Sequence, residues 1–166
     1  MVMRDLRYFG DPVLKSPADP VTTFDDSTRA LVEDLLDTVD IPGRAGLAAP
    51  QIGVGLRAFS YNVDGTIGYV LNPKIVELSE EKHEVMEGCL SLPGLSFPTV
   101  RARRATVKGV DLRNEPVTVS GEGLLAQCLQ HEVDHLDGLL YIDRLTPEQR
   151  KQALREARSK DWFWSR

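Results

Sequence analysis

Gln127-Cys128-Leu129-Gln130-His131-Glu132-Val133-Asp134-His135-Leu136-Asp137-Gly138 is the stretch around which the chain is organised. It holds two of the chain's three histidines, four residues apart, with a glutamate directly after the first. At helical spacing His131 and His135 lie on one face. Two imidazoles so placed can share a metal ion, and the glutamate between them can act as base to a water held on that metal. A helix from about Gly123 to Asp137 puts Gln127, Gln130, Asp134 and Asp137 in one polar stripe, the expected solvent face. Leu124, Leu125, Cys128, Leu129 and Leu136 fall opposite, with His131, Glu132 and His135 among them. An ionised glutamate facing a core is costly unless something compensates it, and a bound metal with its water does so. The plain structural alternative has the histidines bonded to backbone and Glu132 paired with an arginine. Three such residues on one apolar face weigh against it.

A catalytic site of this kind needs a third ligand and an open fourth position. No histidine follows His135, and Glu148 and Glu156 fall in what reads as a separate surface helix. Upstream stand His83 and Cys89. Cys89 lies in Met86-Glu87-Gly88-Cys89-Leu90-Ser91-Leu92-Pro93-Gly94, where small residues and a proline let backbone come close to a ligand. A thiolate bound to the metal is chemically reasonable there. His83 sits in the charged run Glu81-Lys82-His83-Glu84 and reads as a solvated side chain.

Three ordered motifs now stand together: Gly46-Leu47-Ala48-Ala49-Pro50-Gln51-Ile52-Gly53, then Glu87-Gly88-Cys89-Leu90-Ser91, then Gln130-His131-Glu132-Val133-Asp134-His135-Leu136. In these, and in Gly10-Asp11-Pro12-Val13-Leu14 with Ala18 and Pro20-Val21 after it, the chain resembles the peptide deformylases. The likeness runs to about Leu145. One departure stands out: Arg44 occupies the place of the first glycine in the family's Gly-x-Gly, so the pocket rim is expected to differ. The resemblance implies Cys89, His131 and His135 as ligands of one divalent metal. Fe(II) is the expected ion in the cell; two imidazoles and a thiolate also suit zinc, nickel or cobalt. It implies Glu132 as the base, and the Leu90 backbone N–H with the Gln51 amide as donors to an oxyanion. It implies removal of the N-formyl group from nascent chains that begin with formyl-methionine. Gly46, Glu87 and Gly88 are candidate substrate contacts, and Ala45, Val85, Leu124 and Cys128 are candidates for the apolar pocket. An arginine holds a substrate carbonyl in the family; Arg101, Arg103 and Arg104 are the candidates here. A general metallopeptidase and a non-enzymatic metal- or ribosome-binding module are the rival readings. The Cys89 motif argues against the first, and an intact Glu132 and Gln51 against the second.

At 166 residues, residues 1–166 are most simply one domain. The 42% hydrophobic and 27% charged content is ordinary for a globular protein, and a net charge of -5 argues against DNA or general nucleic-acid binding. No apolar run approaches the ~20 residues of a membrane span, and the N-terminus lacks a secretory apolar core. Two cysteines do not suggest a disulfide framework, so a reducing cytoplasm is expected.

Residues 5–21, with three prolines, read as an irregular arm over the surface. A helix follows, capped by Asp25 or Ser27, with Leu31, Val32, Leu35, Leu36 and Val39 as its buried stripe and Pro42-Gly43 as its end. Strands are expected over 56–61, 67–72, 74–78, 103–111 and 115–120, with Arg113-Asn114 as a turn. Thr146-Pro147-Glu148-Gln149 starts a C-terminal helix running to about Lys160. Residues 146–166 then comprise that helix and its tail. Arg150, Lys151, Arg155, Arg158 and Lys160 make the helix net basic, and the resemblance adds docking to the ribosome as a candidate role. Trp162, Phe163 and Trp164 read as either a latch onto the body or a disordered tail. The expected architecture is α+β: antiparallel sheets packed around the metal helix, with an N-terminal and a C-terminal helix.

Overall fold

The computed structural model describes residues 3–164. Helix α1 (Asp26–Val39) is capped by the Asp25 carboxylate, which accepts from the Ser27 and Thr28 backbone N–H groups. Its Leu31, Val32, Leu35 and Val39 are buried against Leu47, Ala58 and Leu71; Leu36 is half-buried. Strands β1 (Gly46–Ala48), β2 (Ala58–Val63), β3 (Thr66–Leu78), β6 (Arg104–Val110) and β7 (Pro116–Glu122) form one antiparallel sheet in the order β1-β2-β3-β6-β7. Strands β4 (Lys82–Gly88) and β5 (Ser96–Ala102) form a separate antiparallel hairpin. The α+β expectation holds.

The helix α2 (Leu124–Leu136) carries the two histidines. Its Ala126, Leu129, Val133 and Leu136 pack on Phe59, Val70, Ala105 and Val107 of the large sheet. Its polar stripe is not a solvent face. Gln130 and Asp134 are buried, Gln127 is half-buried, and Asp137 alone is exposed. The β4–β5 hairpin covers them. Gln130 accepts from the Ala102 N–H at 2.9 Å and donates to the Ala102 carbonyl at 3.0 Å. Leu124, expected among the buried residues, is 50% exposed at the first turn.

Three strand expectations shift. The first lies at 58–63 rather than 56–61. The 67–72 and 74–78 segments are one strand, β3, with its register broken between Leu71 and Lys74. There Asn72 takes a left-handed φ of 50° and brackets the Val21 backbone, accepting from its N–H at 2.7 Å and donating to its carbonyl at 2.9 Å. The β4–β5 hairpin was not foreseen. Its first strand reads Lys-His-Glu-Val-Met-Glu-Gly, whose charges hide a strand held by its partner.

The N-terminal arm is anchored rather than laid loosely. Leu14, Ala18 and Val21 are buried, and the Ala18 N–H donates to the Leu136 carbonyl at the end of α2. Helix α3 (Pro147–Arg158) begins as expected, the Thr146 hydroxyl accepting from the Gln149 N–H, and ends two residues short of Lys160. Helix α4 (Asp161–Trp164) follows. Trp162 donates to the Pro93 carbonyl at 3.0 Å and packs on Tyr8; Phe163 packs on Phe9. Of the two readings of the tail aromatics, the latch holds for Trp162 and Phe163; Trp164 is 71% exposed and donates to the Arg158 carbonyl. Among the described residues, no helix is long and apolar enough to cross a membrane.

Candidate metal centre

Helix α2 points both histidines away from the large sheet, toward the turn that follows β4. The two Nε2 atoms are 3.2 Å apart, and Cys89 Sγ is 3.4 Å from His135 Nε2. The three donor atoms lie within 4.8 Å of one another. His131 Nδ1 is 2.7 Å from Glu87 Oε2. A proton on Nδ1, donated to that carboxylate, leaves the Nε2 lone pair facing the cluster, the tautomer a metal ligand needs. The donor set fits a single transition-metal ion: soft sulfur, two imidazole nitrogens and a buried setting.

Glu87 is the hub of a buried ion network. It accepts from Arg101 Nε at 2.9 Å and from a second Arg101 nitrogen. Arg101 also donates to Asp134 at 2.8 Å, and Arg144 donates to both Asp134 oxygens at 2.7 Å. Burial pushes the Glu87 carboxyl up, but Arg101 and His131 outweigh it and hold it at about 2. This corrects one expectation. Arg101 is buried and fully engaged, and neither Arg103 nor Arg104 lines the cleft, so none of the three is placed for a substrate carbonyl.

Glu132 is buried, and its Oε1 has no hydrogen-bond partner among the described residues. Burial pushes its carboxyl up to about 7, against the pull of His131. Burial opposes charge on both imidazoles. His131 is nonetheless held above the ordinary range by Cys89, Glu132 and Glu87, while His135 is held below it by burial and by its charged neighbour.

Gln51 sits in a short 3-10 turn over Ala49–Ile52. Its Oε1 accepts from the Ala48 N–H at 2.9 Å, and its Nε2 donates to Ser91 Oγ at 3.1 Å, 3.7 Å from Cys89 Sγ. The amide N–H of Leu90 has no acceptor among the described residues. Cys128 donates to the Ala45 carbonyl at 3.3 Å, and burial pushes its thiol up, so it is a neutral apolar wall. Gly46 is packed hard against the centre. A Cβ there would lie 2.5 Å from Glu132 Oε2 and 2.7 Å from Cys128 Sγ, so only glycine fits.

A cleft of about 640 Å³ opens over these groups. Ala45, Gly46, Gly88, Leu124 and Cys128 line it, as do Gln51, Glu87, Leu90 and Glu132. Val85 does not. It is half-buried on β4, and its neighbour Met86 lines the cleft instead. His83 is half-buried on β4 and outside the donor cluster. Sequence reasoning missed Ser91, the Arg101–Asp134–Arg144 chain, and Tyr141, which stacks on His131 with ring centroids 6.3 Å apart. Ser91 and Asp134 at least stood within the quoted motifs. Nothing in the sequence pointed to Arg144 or Tyr141.

The whole chain compares closely with known proteins. A peptide deformylase of Acidothermus cellulolyticus is 58% identical over 98% of this chain and 89% of its own length. One of Parafrankia sp. is 50% identical over the same shares. The crystal structure of a Legionella pneumophila peptide deformylase superposes with a TM-score of 0.89 at 42% identity, covering 95% of each chain. The family model for polypeptide deformylase matches residues 3–151, which include all three donor residues and Glu132. By its donor cluster, its fold and these matches, the chain belongs to the polypeptide deformylase family.

Proposed function

We propose that this chain removes the N-formyl group from the formyl-methionine that begins newly made polypeptides, releasing formate and a free amine. The observation that carries this reading is the convergence of Cys89, His131 and His135 beside the buried carboxylate of Glu132, whose Oε1 has no hydrogen-bond partner among the described residues. The three donors hold one divalent metal, Fe(II) in the cell, with zinc, nickel or cobalt as replacements. When bound it supplies Lewis acidity, lowering the pKa of a water and polarising a carbonyl.

Glu132 takes a proton from the attacking water and passes it to the leaving nitrogen. The Leu90 N–H, without an internal acceptor, and the Gln51 Nε2 face the developing oxyanion; loss of one such donor costs ~10²–10³ in rate. Gln51 Nε2 is already oriented by Ser91, and its Oε1 by Ala48. Glu87 orients His131 through Nδ1, and Arg101 fixes Glu87. A formyl carbon carries only hydrogen, so a narrow site admits it and excludes larger acyl groups. Ala45, Leu124, Cys128 and Met86 make the apolar wall for the methionine side chain. Strand β1 is an edge strand of its sheet, so an extended peptide can add alongside Gly46 and Ala45 while Gly88 backs its other side.

Residues 1–166 work as one catalytic domain in this scheme, and that work is cytoplasmic. Ala153 and Ala157 of α3 are buried with Leu92, Leu95 and Tyr141. Lys151, Arg155 and Arg158 are left exposed, a basic surface for the ribosome. Charge reversal at those three positions is expected to weaken co-sedimentation with ribosomes.

The deciding experiment is formate release from a formyl-methionine peptide by protein purified without oxygen and loaded with Fe(II), beside the acetyl-methionine peptide. Turnover of the formyl peptide alone supports the reading; equal turnover of both refutes it. Glu132→Gln is expected to lose turnover with its metal content intact. Loss of the metal instead would remove Glu132 from the role of base.

A further inference from the structure

Arg44 lines the cleft at the outer end of the segment that leads into β1. It stands where the deformylase motif has glycine. Of the residues lining the cleft it is the one arginine or lysine. The cleft's anions are otherwise committed: Glu87 is paired with Arg101 and bonded to His131, and Glu132 lies at the centre. Arg44 donates from one terminal nitrogen to the Thr38 carbonyl in the last turn of α1, at 2.7 Å. That bond suits a cation at a helix C-terminus and fixes where the guanidinium sits. No carboxylate among the described residues pairs with it. The remaining N–H groups are therefore available in a half-buried position beside the path a peptide must take.

The path has a ruler. Gly46 touches Glu132, so it marks the level of the scissile group and its methionine. Arg44 lies two residues before Gly46, where the turn closed by its N–H on the Ile41 carbonyl gives way to Ala45, whose carbonyl still accepts from Asn62 of β2; the span is at most about 7 Å at ~3.5 Å per residue. A peptide extended beside this edge places the second residue after its formyl-methionine at that level.

Resting on the function proposed above, we infer that Arg44 is a specificity-determining residue, selecting formyl-methionine chains that carry an aspartate or glutamate two positions after the methionine. A guanidinium with one nitrogen tethered and the rest available suits a carboxylate and repels a lysine or arginine there.

The test uses three C-terminally amidated peptides, formyl-Met-Ala-Asp, formyl-Met-Ala-Asn and formyl-Met-Ala-Lys, with the Fe(II)-loaded full chain. The kcat/KM for Asp is expected to exceed that for Asn by about two- to fivefold, as for a partly exposed ion pair, with Lys the poorest. The preference should shrink at high salt. It should vanish in Arg44→Gly, invert in Arg44→Glu and persist in Arg44→Lys. Each ratio is read within one protein, so a general loss of activity in a variant does not disturb it. Equal rates for Asp, Asn and Lys in the native chain would overturn the assignment, as would an Asp preference that survives Arg44→Gly. Failure to turn over any formyl peptide would overturn the deformylase reading itself, and this inference with it.

Discussion

Replacing Arg101 by leucine should be the most damaging single change outside the metal ligands. The Arg101 side chain is 2% exposed and sits between Glu87, also 2%, and Asp134 at 6%. Leucine removes three charge-assisted hydrogen bonds and leaves two carboxylates in the interior. Asp134 keeps Arg144 and Glu87 keeps His131, so the loss is partly offset. Breaking one partner out of a buried ion pair costs ~3–5 kcal/mol. At ~2–4 °C per kcal/mol for a chain of this size, the melting temperature should fall by roughly 6–20 °C. Arg103, two residues away, is the control. Its side chain is 50% exposed and its partner Glu81 is 73% exposed, so Arg103→Leu should cost about 0–1 kcal/mol. Urea unfolding of both variants, with metal loaded and with metal removed, reads the difference. An Arg101→Leu protein within 1 kcal/mol of the native chain, at unchanged slope, would refute the reasoning: the carboxylates would then not depend on Arg101 for compensation. The network also predicts a link to the metal. Glu87→Ala frees the His131 Nδ1, and loss of such an outer partner typically lowers metal affinity ~10–100-fold.

Three further outcomes follow from other contacts. Gly46→Ala places a methyl 2.5 Å from Glu132 Oε2 and should cut kcat/KM by at least about tenfold with the metal retained; near-native activity would show that the cleft wall yields. Asp143 is pushed up by burial, but the Leu140 N–H, Lys15 and Arg150 outweigh this and hold its carboxyl below its ordinary 3.8. A depressed value means stability that is present above pH 3.8 and lost as pH falls through the folded value. Asp143→Asn should therefore be less stable than the native chain near pH 7 by ~1 kcal/mol, with the gap closing in acid; a gap that stays constant in denaturation curves carried well below pH 3.8 would exclude titration of this group. Chelation should lower the melting temperature by roughly 5–11 °C, the equivalent of metal at ~100 times its Kd, and an unchanged melting curve would mean that the cluster does not bind metal in solution.

The elements that sequence reasoning located are those whose stability is local. Helix α1 is legible because Asp25 caps it and its leucines recur at helical steps. Helix α3 is legible from Thr146 and Pro147. The C-terminal aromatics were left between two readings, because burial of Trp162 and Phe163 depends on Tyr8 and Phe9 at the other end of the chain. Strand β3 looked like two because Asn72 breaks its register, and the reason for that break is the Val21 backbone, some fifty positions away.

The same distinction divides the site. Cys89, Glu132, His131 and His135 carry chemistry in their own side chains, so type and spacing expose them. The polar stripe of α2 misled because amphipathicity assigns polar residues to water by default. Helix α2 has three faces. One packs its leucines on the large sheet, one turns the imidazoles and Glu132 to the cleft, and the third, with Gln130 and Asp134, meets the β4–β5 hairpin. The hairpin went unseen for the complementary reason: its Glu87 and Arg101 are inside only because Asp134 and His131 wait for them. Each segment alone presents charges that belong in water; docked, those charges satisfy one another and clamp His131. A buried ion network is thus invisible to one-segment reasoning in both of its halves. The physical signal that would expose it is the pairing itself, Glu87 with Arg101 directly and with Asp134 through it, which is formed only when the hairpin closes on the helix.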